Sequence, residues 1–98
     1  MDLKKLKENL TEKDEQLIRM FDALGDESRY RIFKLLMQDK KICVSELAEI
    51  LKISVSAVSQ QLRILEMRKL VNHERNGQMM CYQVRQNDEF VKCILGLI

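Results

Sequence analysis

Ser56, Ser59, Gln60 and Arg63 fall at the i, i+3, i+4, i+7 spacing of a single helical face, with Val55 at its N-terminal edge. Serine and glutamine each donate and accept hydrogen bonds. A glutamine amide can pair bidentately with an adenine edge, and a valine beside it suits a thymine methyl. Lys52, Arg68 and Lys69 flank the stretch, and no acidic residue lies between Lys52 and Arg63. Cations so placed suit phosphate oxygens, which fix position without reading sequence. Further on, His73, Arg75, Asn76, Gln78 and Arg85 form a second polar and basic segment. The plain alternative is a solvated helix face with no ligand. The serines at the start, the missing acids and the adjoining basic segment together weigh against it.

Little else in the chain offers chemistry. It has no glycine-rich phosphate loop, and its one histidine, His73, has no neighbouring nucleophile to activate. Both facts argue against an enzyme, and no cofactor signature is present. The three cysteines, Cys43, Cys81 and Cys93, are an odd number and sit in helix- or strand-like surroundings. They suggest reduced thiols in a reducing compartment rather than a disulfide scaffold. A free cysteine is most often a small buried hydrophobe.

The elements that must carry the polar face are legible from periodicity and caps. Leu3, Leu6 and Leu10 make a short amphipathic segment that is helical only if it docks on something. Thr11 caps a helix reaching Leu24, with Leu17, Ile18, Phe21 and Leu24 at helical spacing; Gly25 ends it and Asp26 caps the next. That second helix runs to about Gln38 with Ile32, Leu35 and Leu36 facing a core, and residues 38–41 form a polar loop. A third helix covers roughly 44–51, carrying Leu47, Ile50 and Leu51. After the break Lys52-Ile53-Ser54, a fourth covers about 55–68, with Val58, Leu62 and Leu65 inward. Two helices so tightly joined make a helix-turn-helix. The period then changes to two. Residues 70–75 and 79–85 read as strands around an Asn76-Gly77 turn, with Tyr82 and Val84 inward and Met79, Cys81 and Gln83 on the other face. Cys81 is incidental in this reading. Residues 87–98 form a last helix, apolar nearly all round through Phe90, Val91, Cys93, Ile94, Leu95, Leu97 and Ile98. Such a helix exposes a large patch on a monomer, so burial in a subunit interface is expected. The fold is therefore mainly α with a small β-hairpin, a winged helix-turn-helix of order α-α-α-α-β-β-α. An α-helix fits the major groove of duplex DNA, and the hairpin is the wing.

Composition sets the frame. Ninety-eight residues, 46% hydrophobic and 33% charged, make one domain over 1–98, with a core small enough that a partner subunit would help. The absence of proline and the three glycines favour helices with short connections. A net charge of +2 decides nothing by itself. The N-terminus lacks the apolar stretch of a signal peptide, and no apolar run approaches the ~20 residues of a membrane span. A cytoplasmic protein without membrane association is expected.

Three segments carry a resemblance to a known family. They are Ala23-Leu-Gly-Asp-Glu-Ser-Arg-Tyr-Arg-Ile32; Ser45-Glu-Leu-Ala48 with Ile53-Ser-Val-Ser-Ala-Val-Ser-Gln-Gln-Leu62; and Leu70-Val71, Arg75-Asn-Gly-Gln78 and Tyr82. In this order they resemble the ArsR family of winged-helix repressors over about residues 17–85. The resemblance implies a homodimer built from the first and last helices, an inverted-repeat operator on double-stranded DNA, and release by a small inducer. It puts the base-contacting residues at Val55, Ser56, Ser59 and Gln60, with histidine common in the family where Gln60 stands. Arg63 shares their face, while Lys52, Arg75, Asn76 and Gln78 supply backbone and wing contacts. A winged-helix module for protein–protein contact is the competing class, and such modules usually lose the polar and basic character kept here.

The inducer is where this sequence departs. Metal-sensing members often carry Cys-Val-Cys where this chain reads Cys43-Val44-Ser45, and others bind zinc through aspartate and histidine on the last helices. Here Asp88 is present but the last helix has no histidine, so no metal site is expected at either place. Cys43 and Cys93 come together if the last helix packs beside the start of helix 44–51. That pair is the candidate thiol switch.

Overall fold

Caps set the helix boundaries much as the sequence requires. The computed structural model of the chain describes residues 2–38, 41–86 and 88–97, and for Phe90 and Leu97 the backbone alone. Asp39 and Lys40 of the expected polar loop, the Phe90 and Leu97 side chains and Ile98 lie outside the described residues. Asp2 accepts from the Lys4 N–H at 3.0 Å and opens α1, Leu3–Glu8. Thr11 and Asp14 form a reciprocal capping box at the start of α2, Glu12–Leu24. Asp26 accepts from the Arg29 N–H at 3.1 Å and opens α3, Glu27–Gln38. Strand β1, Ile42–Cys43, runs straight into α4, Val44–Leu51, where Glu46 reaches back to the Cys43 N–H at 3.0 Å. Ser54 caps α5, Val55–Met67, by accepting from the Ala57 N–H at 3.0 Å. The hairpin is β2, Val71–Asn76, and β3, Met79–Val84; α6, Glu89–Leu97, closes the chain.

The three strands form an antiparallel sheet in the order β1-β3-β2, so the return strand of the hairpin is central. Strand β1 is absent from the sequence reading because two residues carry no alternation to read. The turn also shifts by one residue. Asn76 pairs with Met79, leaving Gly77-Gln78 as the loop, and of these only Gly77 has positive φ, at 65°. A two-residue turn with glycine first asks nothing special of Asn76.

The core lies where the sheet, α3, α4 and α5 meet. Ile32, Phe33 and Leu36 of α3 pack with Leu47 of α4 and with Val58, Leu62 and Leu65 of α5; Leu70, Val71 and Val84 close the sheet side. The three α5 positions match the expected stripe, whereas Ile50, assigned to helix 44–51 alongside Leu47, is exposed. Helix α6 divides its apolar residues. Val91 and Ile94 are fully buried in the chain's own core, while among the described side chains Glu89, Lys92 and Cys93 face outward.

The N-terminal helices show the reverse. Helix α1 buries no residue, and α2 buries only Met20 and Ala23. Leu3 (75% exposed), Leu10 (64%), Ile18 (54%) and Phe21 (52%) face outward. The radius of gyration is 15.7 Å, against about 13 Å for a compact domain of ~100 residues. The terminal helices reach out from the core and carry unburied apolar surface.

Arg29 joins these layers. Its Nε donates to the Ala23 carbonyl at 2.7 Å and its Nη1 to Gln61 Oε1 at 3.0 Å, so one guanidinium ties the end of α2 to α5. Arg29→Ala leaves both acceptors short of a partner in a half-buried site and is expected to cost about 1–3 kcal/mol in urea denaturation. Arg29→Lys should recover little, because an ammonium lacks the rigid fork that serves two acceptors at once. Full recovery by lysine would show that charge alone matters there.

Candidate nucleic-acid interface

Burial of Val58, Leu62 and Leu65 turns the opposite stripe of α5 to solvent. Val55, Ser56, Gln60 and Arg63 are exposed and Ser59 half-exposed, all on one face. The Ser56, Ser59 and Gln60 side chains have no hydrogen-bond partner among the described residues. Their donors and acceptors point outward unspent. Gln61 and Glu66, on the flanks of the same helix, are used inside the protein instead. Gln61 accepts from Arg29, and Glu66 Oε2 accepts from the His73 backbone N–H at 3.1 Å while lying 2.5 Å from His73 Nδ1. These two contacts clamp α5 to α3 and to β2. Sequence reasoning missed both, because they join residues 32 and 7 positions apart with no local pattern.

Two lysines mark the ends of the helix pair. Lys52, between α4 and α5, has φ 58°, and Lys69, just past α5, has φ 63°. Leu70 N–H bonds back to Leu65 O at 3.0 Å, so Lys69 occupies the left-handed position of a Schellman-type ending. Glycine is the usual residue for such a conformation, and a side chain there costs roughly 1–2 kcal/mol. Each turn thus carries an exposed cation where glycine would be easier.

The wing tip presents Arg75, Asn76 and Gln78, all exposed. Lys52, Arg63, Lys69 and Arg75 form no ion pair among the described residues, whereas Lys41 pairs with Glu74 at 3.2 Å. Three residues of the sequence reading face elsewhere. Arg68 turns back to α2, to Asp22 Oδ2 and Arg19 O, both at 3.4 Å. His73 faces α5 through Glu66, and Arg85 lies 4.0 Å from Asp88 at the base of α6. Each of the three has an acid within reach inside the protein.

The cysteines are arranged differently from the expected pair. Cys43 of β1 stands directly opposite Cys81 of β3, their Cα atoms are 3.7 Å apart, and their sulfurs form a disulfide. Cys81 is fully buried, not incidental: β1 pairs beside its strand and sets Cys43 opposite it. Cys93 is free and exposed on α6. The expectation of a Cys43–Cys93 pair, and that of thiols without disulfides, both give way to this geometry. Among the described residues, no three His, Cys, Asp or Glu side chains converge as a metal site.

The family model for bacterial regulatory proteins of the arsR family matches residues 26–73, from the cap of α3 to β2. The arsenical resistance operon repressor of Bacillus subtilis is 37% identical over 76 residues, covering 78% of this chain and 70% of that protein. The chain belongs to the ArsR family. A transcriptional repressor SmtB homolog of Synechocystis is 41% identical over 73 residues, covering 74% of this chain and 54% of that protein. The match thus spans little more than half of that relative's length, and 60% of a cadmium-resistance regulator homolog from Staphylococcus aureus. Among solved structures, reduced HlyU from Vibrio cholerae superposes with TM-score 0.77 at 27% identity, over 97% of this chain and 93% of that one. The homodimeric winged helix-turn-helix DNA-binding domain Mb0332 from Mycobacterium bovis gives 0.72 at 26%, over 85% and 74%. The winged-helix architecture expected from the sequence is the family's fold. No helix of the described residues is long and apolar enough to cross a membrane.

In this ArsR-family chain the wing and α5 also communicate through Tyr82. Burial raises the ionisation of its phenol above the ordinary value near 10; the Glu66 carboxylate adds to the rise and the Arg63 guanidinium opposes it. The native state therefore holds the phenolic proton more tightly than the unfolded chain does. Its contribution to stability is complete below pH ~10 and is lost as pH climbs through the raised native value. Tyr82→Phe should remove this part of the alkaline loss. Denaturation midpoints of the two proteins should diverge above pH 10, and parallel curves there would show that Tyr82 is not held neutral by the fold.

Proposed function

We propose that the protein is a homodimeric transcriptional repressor that binds an inverted-repeat operator on duplex DNA and acts in the cytoplasm, where the operator lies. The observation that carries this reading is the outward stripe of α5, whose serine and Gln60 groups are unspent and beside which Lys52, Arg63 and Lys69 form no ion pair among the described residues. Val55, Ser56, Ser59, Gln60 and Arg63 enter the major groove; the serines and Gln60 read base edges. Lys52, Arg75, Asn76 and Gln78 hold the backbone beside it, with the wing tip against the adjacent phosphates or minor groove. A single such unit covers one half-site, and two-fold symmetry in protein and operator supplies the rest.

The dimer reading draws support from the outward apolar face of α1 and α2, from a radius of gyration large for the chain length, and from the homodimeric state of the Mycobacterium bovis relative. Val91 and Ile94 anchor α6 in the chain's own core, so the interface falls mainly to Leu3, Leu6, Leu10, Ile18 and Phe21, with the outer side of α6 beside them. A small inducer is in keeping with the cadmium- and arsenical-resistance names of its relatives, while Cys43 and Cys81 are joined to each other here.

Three outcomes test the reading. Gln60→Ala should weaken the operator complex by roughly 1–3 kcal/mol and relax preference at one base pair per half-site, measured on operator and mismatched duplexes by fluorescence anisotropy. An equal loss on random DNA would remove Gln60 from base reading. Lys52→Gly should leave the fold unchanged or up to about 1 kcal/mol more stable, because glycine accepts the left-handed turn. The same change should weaken all duplexes alike and lower the salt slope by about one. Binding and stability moving down together would mark Lys52 as merely structural. Finally, Phe21→Glu should give a folded monomer by sedimentation with its helical circular dichroism intact; a dimer of wild-type affinity would put the interface elsewhere.

A further inference from the structure

The disulfide between Cys43 and Cys81 closes a loop of 38 residues in sequence separation that contains α4, α5, β2 and the wing turn. Every residue assigned above to the operator lies inside it, from Lys52 to Gln78. One end is the cap position of α4, the first helix of the helix-turn-helix; the other is the central strand of the wing. Apart from this bond, β1 holds β3 through only two residue pairs, Ile42 with Tyr82 and Cys43 with Cys81. A repressor working on chromosomal DNA lies among reducing thiols, where protein disulfides are usually transient and redox-sensing rather than structural. We infer that Cys43 and Cys81 are a reversible thiol–disulfide couple that sets how rigidly the wing is held to the helix-turn-helix, and through it the affinity for the operator. This rests on the proposed DNA-binding function and names its regulation.

The chemistry closes without a metal. Cys43, less deeply buried than Cys81 at 8% exposure and at the positive end of the α4 dipole, is the attacking thiol; Cys81, fully buried, is the resolving one. The Cys43 thiolate attacks one sulfur of a low-molecular-weight disulfide, the S–S bond of that oxidant breaks, and the departing thiolate takes up a proton. The Cys81 thiolate then attacks Cys43 sulfur in the mixed disulfide and expels the second small thiol. The protein has lost two hydrogens, and one small disulfide has become two thiols. The reverse exchange, driven by reducing thiols, reopens the bond. Cys93, exposed on α6, lies outside the couple.

A closed bond orders the wing before DNA arrives, so less ordering is left for binding to do. The test uses the full chain, reduced with dithiothreitol or oxidised with glutathione disulfide, and a duplex selected from a random pool by the reduced protein. Oxidation should lower the mass by two hydrogens, join the peptides of Cys43 and Cys81, and raise the melting temperature by roughly 10 °C or more. Affinity for the selected duplex should rise roughly three- to tenfold. Cys93→Ser should respond like wild type, whereas Cys81→Ser and Cys43→Ser should stay at the reduced value under both conditions. Arg75→Ala should bind more weakly in both states and show a narrower gap between them. Equal affinity of reduced and oxidised wild type, a comparison that needs no variant to fold, overturns the couple as a regulator and leaves the DNA-binding reading standing. Linkage to Cys93 instead of Cys81 overturns it as well. If the reduced protein selects no duplex at all, the DNA-binding reading fails and takes this inference with it.

Discussion

Helix α5 has to be held firmly without using the side chains it must present. Its inner stripe, Val58, Leu62 and Leu65, is fully buried. Complete burial of side chains this size stabilises by roughly 1.5–3 kcal/mol each, an upper estimate because unfolded chains already bury some apolar area. Burying that stripe fixes the helix about its own axis, and at 100° per residue the position of Ser56, Ser59, Gln60 and Arg63 follows. The flanks add direction. Arg29 reaches Gln61 from α3, and Glu66 grips His73 of β2. Packing, a guanidinium fork and a carboxylate bridge therefore restrain the helix from three sides, and the fourth stays open.

The same economy explains why the chain looks unfinished at its N-terminal side. A core built on α3, α4, α5 and one sheet consumes the buried faces of those elements, and α6 adds Val91 and Ile94 to it. Among the described residues, none buries a side chain of α1, and Ile18 and Phe21 of α2 stay exposed. Helix α1 is six residues long and buries none of them, well short of what an isolated helix needs to persist in water. Its leucines are arranged for a surface that a single chain does not supply.

Much of this was legible beforehand because it depends on local pattern. Thr11, Asp26 and Ser54 announce their helices by type and spacing, and Val58, Leu62 and Leu65 declare the inner face of α5 by period alone. The outer face followed at once. What could not be read depends mostly on partners with no local pattern. Arg68 and His73 look like ligands for phosphate until Asp22 and Glu66 are brought beside them by the fold, and Arg85 until the backbone places Asp88 within reach. Seven apolar residues surround the last helix, and hydrophobicity alone could not say that Val91 and Ile94 among them enter the chain's own core. Cys81 looked incidental because alternation assigned it to the face away from Tyr82. The face is right, but β1, too short to detect, pairs beside that strand and sets Cys43 directly opposite Cys81.

The missed strand is also what gives the sulfur bond its leverage. Beyond the Glu74–Cys81 pair only two further pairs, Arg75 with Met80 and Asn76 with Met79, separate the tie from the Gly77-Gln78 turn. At ~3.4 Å per residue the tip extends about 7 Å past it. The other anchors of the hairpin act at or behind that level: Lys41 on Glu74, Glu66 on His73, and the backbone bond from Arg85 N–H to Leu70 O at 3.0 Å. A hairpin held only by its base pivots there, and a pivot of a few degrees moves a tip this short by less than an ångström. A contact made by Arg75 is sensitive to displacements of that size, because a hydrogen bond to a phosphate weakens steeply with distance and angle. The bond between Cys43 and Cys81 therefore acts as a fine restraint on a lever already short. Its expected effect on affinity is a modest factor rather than an on–off transition.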